Sequence, residues 1–207
     1  MKSFDLQLYL VTDEACLQHK KLFEAVEEAL KAGVTLVQYR EKNGLGKEML
    51  RKASALKKLC HRYHVPLLVN DRLDIALLSG ADGVHLGQDD IPVAEARRLA
   101  GPDFIIGATA HNVEEALKAE ADGADYLGCG AVFSTNTKKD TVPLGLEGLT
   151  AIRGAVTIPI VGIAGVTPEN YPEVLATGAD GAAVVSGILG AEDITAAVKS
   201  FLLSGKQ

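Results

Sequence analysis

The chain of 207 residues has no tryptophan, two methionines and three cysteines. Cys16, Cys60 and Cys129 are odd in number, widely spaced and without a CxxC pair, which argues against a disulfide framework or a structural zinc site and fits a reducing compartment. HExxH and dense Cys/His clusters are likewise missing, so zinc chemistry has no ligand set here. No run of 18 apolar residues occurs, and the opening MKSFDLQLYLVTD meets Asp5 before any long apolar stretch. A membrane span and a signal peptide are therefore not expected, and the cytoplasm is the expected location. Positive charge is in short supply, with 21 Lys and Arg against 27 Asp and Glu and a net charge of -6. Such a chain has no general attraction to nucleic acid or anionic membrane, and any anion site must be local. Proline-rich linkers, low-complexity tracts and charge blocks are also lacking, so residues 1–207 are expected to form one domain.

What is present is a rhythm. Short apolar runs of strand length lie at residues 6–11, 35–40, 66–70, 83–86, 104–109, 126–130, 158–163 and 181–186. Segments of helical periodicity separate them, at about 20–32, 46–63, 72–79, 92–100, 112–122, 145–154, 168–177 and 192–204. Nearly continuous apolar strands alternating with helices belong to an α/β fold with a covered parallel sheet. In 112–122, Asn112 is placed to cap the helix and Glu115 sits in the capping-box position, with Val113, Ala116, Leu117 and Ala121 as the inward stripe. One phrase recurs as AGVTLVQ (32–38), SGADGVHL (79–86), DGADYLGCG (122–130) and TGADGAAVVS (177–186), each a helix stop at glycine, a short turn and a buried strand. Spacing alone does not separate an eight-stranded barrel from a doubly wound sheet. Eight units point to a closed (β/α)8 TIM barrel, compact because such barrels usually take about 250 residues.

In a barrel, ligands sit at the carboxyl ends of the strands. After the second strand, Gln38, Arg40 and Lys42 alternate and face one way if the extended path persists, either to surround phosphate oxygens or as an exposed rim. The third strand ends in Asn70 and Asp71, and the fourth in HLGQDD with Asp90. Each aspartate is either a hard-cation ligand or a helix cap; together at neighbouring strand ends they match what magnesium takes from a protein while it binds substrate phosphates. Thr109 and His111 follow the fifth strand, with His111 read as a rim residue and His85 as a packed histidine. The loop FSTNTKKDTV (133–142) is either a solvated turn or an anion grip. Gly165 after the seventh strand and Ser186 after the eighth stand where this fold frequently binds phosphate.

Taken in order, LYLVTD (8–13), QYREK (38–42), VND (69–71), DGVHLGQDD (82–90), ATAH (108–111), TNTKKD (135–140), VGIAG (161–165) and VVSGI (184–188) resemble the thiamine phosphate synthase family over almost the entire chain. The resemblance implies a transferase that joins 4-amino-5-hydroxymethyl-2-methylpyrimidine diphosphate to a phosphorylated, commonly carboxylated, hydroxyethylthiazole. The products are thiamine phosphate and diphosphate, with CO2 from the carboxylated substrate. By the same resemblance Gln38, Tyr39, Arg40, Glu41, Lys42, Asn70, Thr109 and Lys138 belong to the pyrimidine-diphosphate side, with Arg40, Lys42 and Lys138 catalytic. Asp71 and Asp90 would hold Mg2+, and Thr135, Asn136, Thr137, Gly165, Val185 and Ser186 the thiazole phosphate. The partners implied are these small molecules, without nucleic acid or membrane, and oligomerisation is left open.

Three positions depart from the family pattern: Thr109 where serine is frequent, Ala164 in a glycine position, and Gly187 where alanine is common. Ala164 is acceptable at negative φ and awkward at positive φ. A related thiazole tautomerase would share the barrel and the thiazole-phosphate station but not the pyrimidine-diphosphate grip. A non-catalytic phosphate-ligand sensor or interaction barrel is the alternative of another class.

Overall fold

The computed structural model describes residues 4–134 and 143–206. Eight parallel strands, β1 (Leu8–Val11), β2 (Leu36–Tyr39), β3 (Leu67–Asn70), β4 (Gly83–Leu86), β5 (Ile105–Ala110), β6 (Tyr126–Cys129), β7 (Ile160–Ile163) and β8 (Gly181–Val184), pair in sequence order. The last closes on the first, with Leu10 opposite Val184, so the sheet is a barrel and not doubly wound. Each strand lies within two residues of its expected bounds.

The helices are α1 (Leu22–Ala32), α2 (Gly46–Arg62), α3 (Leu73–Ser79), α4 (Val93–Ala100), α5 (Val113–Ala121), α6 (Gly145–Ala155), α7 (Tyr171–Ala176), α8 (Ser186–Leu189) and α9 (Ile194–Ser204). Two short pieces escaped the sequence reading, α8 and a 3-10 turn at Glu14–Cys16. Each is about one turn, too brief for an apolar period to register. In α5 the cap is as expected, since Asn112 accepts from the amide of Glu115 at 2.9 Å. Glu115 reaches back one residue further than a capping box requires, to the amide of His111 at 2.8 Å. The stripe is corrected: Ala116 and Ala119 are buried and Val113 is half-buried, while Leu117 and Ala121 are exposed. The face against the barrel follows the i, i+3 row instead of the i+4 row.

Strand alternation sorts the apolar side chains into two cores. Leu8, Leu10, Val37, Tyr39, Leu67 and Val69 point outward to the helices. Tyr9, Val11, Leu36, Leu68, Ile105 and Tyr126 point into the barrel. Cys60 and Cys129 are buried free thiols, pushed by that burial up to about 12. Among the described residues no helix is long and apolar enough to cross a membrane.

The recurring phrase has a structural meaning beyond its glycine turn. Asp82, just before β4, donates its amide to the carbonyl of Leu67 (2.8 Å) while its carboxylate accepts the amide of that same Leu67 (2.8 Å) and pairs with Lys57 (2.5 Å). Asp125 treats Ile106 in the same way (2.7 and 2.7 Å) and pairs with Arg97 (2.6 Å). Asp180 does so with Ile160 (2.9 and 2.9 Å), with Arg153 at 3.5 Å. In the first copy a hydroxyl replaces the carboxylate: Thr35 gives its amide to the carbonyl of Leu8 (3.0 Å), and its Oγ1 accepts the amide of Leu8 (3.0 Å). The four clasps fall at β1/β2, β3/β4, β5/β6 and β7/β8, every second seam of the barrel.

Replacing Asp125 by alanine strands the Ile106 amide and takes the carboxylate from Arg97, which keeps its bonds to the carbonyls of Gly101, Phe104 and Gly123. Asp125→Ala is expected to lower the unfolding free energy by about 2–3 kcal/mol. Urea unfolding measures it, and a loss well under 1 kcal/mol would mean the clasp is not holding the seam.

Candidate functional site

The strand ends converge on a cavity of about 390 Å3, within the range of small-molecule sites. The end of β1 serves β2. Buried Thr12 accepts the amide of Arg40 at Oγ1 (3.0 Å), and Asp13 holds the Arg40 guanidinium at 2.9 Å. Gln38, 3% exposed, points inward, and Arg40 and Lys42 line the cavity above it. The residues between them behave differently. Tyr39 faces outward into the helix layer, and its hydroxyl is buried without a hydrogen-bond partner among the described residues. Glu41 accepts the amide of Asn43 (2.9 Å) and does not line the cavity. Strand alternation explains both, so contact between Tyr39 and a ligand in the cavity would have to run through main chain.

From β3, Asn70 is 8% exposed, and its Nδ2 is buried at the cavity wall without a hydrogen-bond partner among the described residues. Asp71 follows at φ 61°, its amide held by the carbonyl of His85 at 2.8 Å. Its carboxylate meets Lys42 at 2.6 Å. The helix-cap alternatives are not realised: α3 has Arg72 at its N-cap and α4 has Pro92. Asp90 instead closes the turn after β4 by accepting the amide of Gly87 at 2.6 Å.

Asp71 and Asp90 face each other. Burial pushes the Asp90 carboxyl above its ordinary range; the Gly87 amide opposes this, the neighbouring Asp71 carboxylate adds to it, and the Lys42 ammonium again lowers it. Two converging carboxylates are able to share a cation, and Lys42 already supplies one positive charge beside them. Among the described residues no group of three or more His, Cys, Asp or Glu could hold a metal ion. The pair is thus a two-carboxylate donor set, the number through which Mg2+ is commonly held when phosphate and water complete its shell.

Thr109 stands at the end of β5 and also lines the cavity, as do Gly165, Val185 and Ser186 on the β7 and β8 side. Gly165 sits at φ 68°, and a Cβ there would meet the Ser134 carbonyl oxygen at 2.6 Å. Asn170 braces this loop by donating to the Gly165 carbonyl at 3.0 Å. Ser186 and Gly187 open α8, where the first amides of a helix lack intrahelical partners. The expected contacts Thr135, Asn136, Thr137 and Lys138 lie outside the described residues.

Several cavity residues were not singled out from sequence as ligand-facing: Tyr9, His85, Gln88 and His111. Alternation alone would have turned Tyr9 and His85 inward, since each sits between outward-facing neighbours. His111, read as a rim residue, lines the cavity with its Nδ1 2.9 Å from Glu115.

A closed eight-stranded barrel with its charged and amide donors gathered at one rim defines a (β/α)8-barrel enzyme. The family description "Thiamine monophosphate synthase" matches residues 8–188. The thiamine-phosphate synthase of Clostridium acetobutylicum is 51% identical over 194 residues, covering 94% of this chain and 92% of that protein. That of Chloroflexus aurantiacus is 50% identical over 196 residues, covering 94% and 90%. The solved thiamine phosphate pyrophosphorylase of Pyrococcus furiosus superposes with a TM-score of 0.89 at 43% identity, covering 97% of this chain and 96% of that one. The chain belongs to the thiamine monophosphate synthase family, and is a transferase of thiamine biosynthesis.

Ala164 is the departure that matters structurally, because it sits at φ 79° on the cavity wall. Left-handed backbone disfavours alanine by about 1–2 kcal/mol, and glycine returns about 0.4–1 kcal/mol of that through unfolded-chain entropy. Ala164→Gly is therefore expected to raise stability by up to about 1 kcal/mol, and Ala164→Val to lower it by about 1–3 kcal/mol. Urea unfolding of the two variants checks the sign; equal stabilities would mean that the backbone there is not held left-handed.

Proposed function

We propose that this enzyme, acting as a single domain in the cytoplasm, couples the pyrimidine diphosphate to the (carboxy)hydroxyethylthiazole phosphate by a magnesium-assisted dissociative route. The observation that carries the reading is the division of one cavity into two chemically different stations. One side has Arg40 and Lys42 beside the facing carboxylates of Asp71 and Asp90. The other has Gly165, Val185 and Ser186 with the opening turn of α8. A substrate bearing a diphosphate and another bearing a single phosphate match these two stations.

Mg2+ held by Asp71 and Asp90 would supply counter-charge to the diphosphate as it leaves. Arg40, oriented by Thr12 and Asp13, offers a planar pair of donors to phosphate oxygens. Lys42 and Lys138 add mobile positive charge as the bond from the pyrimidine methylene carbon to the diphosphate oxygen breaks. The aminopyrimidine carries the resulting cation until the thiazole nitrogen forms the new carbon–nitrogen bond. Gln38, Asn70 and Thr109 hold the pyrimidine, Asn70 with an amide that has no partner among the described residues. Thr135, Asn136, Thr137, Gly165, Val185 and Ser186 hold the thiazole phosphate, in part through main-chain amides. No protein nucleophile is required. A thiazole tautomerase would have no use for the paired carboxylates and their lysine, and their presence favours the synthase.

Purified protein incubated with both substrates should release thiamine phosphate and diphosphate only when Mg2+ is supplied. Binding of both substrates without product in any condition would instead identify a sensor. Lys138→Ala is expected to slow coupling by about 10²–10³, the magnitude of losing one donor to developing charge. Thiazole-phosphate binding should change far less; equal loss of both would remove Lys138 from the leaving-group side.

A further inference from the structure

A continuous line of hydrogen bonds crosses the barrel interior beneath the cavity. Gln38 Nε2 donates to Tyr9 Oη at 2.5 Å, Tyr9 Oη meets Tyr126 Oη at 2.8 Å, Tyr126 Oη meets His85 Nδ1 at 2.8 Å, and His85 Nε2 meets Thr109 Oγ1 at 3.0 Å. Its two ends, Gln38 and Thr109, both line the cavity, whereas Tyr126 does not. The inner links are dry, with Tyr9 1% and Tyr126 0% exposed. Burial raises both phenols above their ordinary range, so each keeps its proton.

The line is seated by sequence features that otherwise lack a purpose. A Cβ on Gly107 would lie 2.1 Å from the Tyr126 ring, and one on Gly128 would lie 3.0 Å from the His85 ring. Gly107 makes the room in which the Tyr126 ring lies across β5, and Gly128 spares the His85 ring a tight contact from β6. Tyr126 is also gripped edge-on by Phe4 and Tyr9, with ring centroids 5.8 and 5.9 Å away.

Each link has one proton to give, so the line carries a single sense. A phenol or alcohol hydroxyl donates once, and a neutral imidazole donates from one nitrogen and accepts at the other. With the Gln38 amide nitrogen toward Tyr9, the Tyr9 hydroxyl must donate to Tyr126 and Tyr126 to His85 Nδ1. The ring proton is then on Nε2, directed at Thr109, whose own hydroxyl proton is left for the cavity. If the Gln38 amide were turned over, every link would invert and Thr109 would offer only an acceptor. The polarity at one side of the barrel is thereby tied to the amide orientation at the other, over four bonds and without a backbone movement.

We propose that Tyr9 and Tyr126 are positioning residues that transmit the orientation of the Gln38 amide to the tautomer of His85, and so set Thr109 as a hydrogen-bond donor to the substrate. This deepens the function proposed above, because Gln38 and Thr109 are the pair it gives to the pyrimidine. Tyr126 lies outside the cavity lining and Tyr9 at its floor; in this role both act through their neighbours.

The test reads the His85 ring nitrogens by ¹⁵N NMR in the full chain without substrate, at about pH 8, above the ordinary imidazole range. The chain's five histidines are resolved by the signal lost in His85→Gln. The wild-type ring is expected as the Nε2–H tautomer. Gln38→Met, three links from the ring, is expected to relax it toward a mixture, as is Tyr9→Phe. The double variant should show no further change, since both cut one line. Tyr126→Phe, which keeps the aromatic packing, should raise KM for the pyrimidine diphosphate about tenfold with kcat little changed, the size of one lost hydrogen bond. An Nδ1–H ring in the wild type, or a ring indifferent to Gln38→Met, would overturn the relay. The tautomer readings need no coupling activity: a responsive ring in a protein that makes no product would sink the proposed function and leave the relay standing. Product formation with an indifferent ring would do the reverse.

Discussion

The clasp at the amino ends of the even-numbered strands is the interaction on which the rest depends. A strand of four residues has little pairing of its own, and a slip of one residue would exchange its inward and outward faces. Asp82, Asp125, Asp180 and Thr35 each bind both backbone groups of one residue on the preceding strand. That two-point contact admits one register. With the register set at the bottom of every second seam, the identity of the residue that arrives at the top follows by counting. Gln38, Asn70 and His85 face the cavity because Thr35 and Asp82 are locked beneath them.

The upper rim is where the chain departs from relaxed geometry. Asp71 and Ala164 adopt positive φ without being glycine, and both border the cavity. His64 shares that conformation in the turn before β3, away from the cavity, so the feature is not confined to the site. At Asp71 the left-handed turn comes with a carboxylate aimed at Asp90 and an amide held by β4. Such strain persists only where surrounding bonds over-determine it, and here the His85 carbonyl and the Lys42 ammonium do so.

Electrostatics follow the same division of labour. The chain as a whole is acidic, yet its cavity gathers Arg40 and Lys42 on the side where two carboxylates meet. Arg40 is anchored by Asp13 and Thr12, so the end of the LYLVTD segment acts on the site through β2, while Tyr9 and Val11 of the same segment line the cavity themselves. Lys42, 48% exposed at its side chain, is the more open member of the pair and is held to Asp71. A planar fork and a point charge together suit an anion whose charge changes during reaction.

Periodicity by itself determined the eight strands, the eight main helices and the alternation of inner and outer faces, because these depend on residues near in sequence. Glycine before each repeated strand marked its turns for the same reason. Some site residues were also legible, since polar groups ending an apolar strand have few other places to point. Tertiary structure decided what local patterns cannot carry. It closed β8 on β1, placed Asp90 against Asp71 and directed Asp13 to Arg40. It also joined Gln38 to Thr109 through Tyr9, Tyr126 and His85, residues up to 117 positions apart that a strand pattern reads only as core. A strand's period says which way a side chain points, and only the closed barrel says what it meets there.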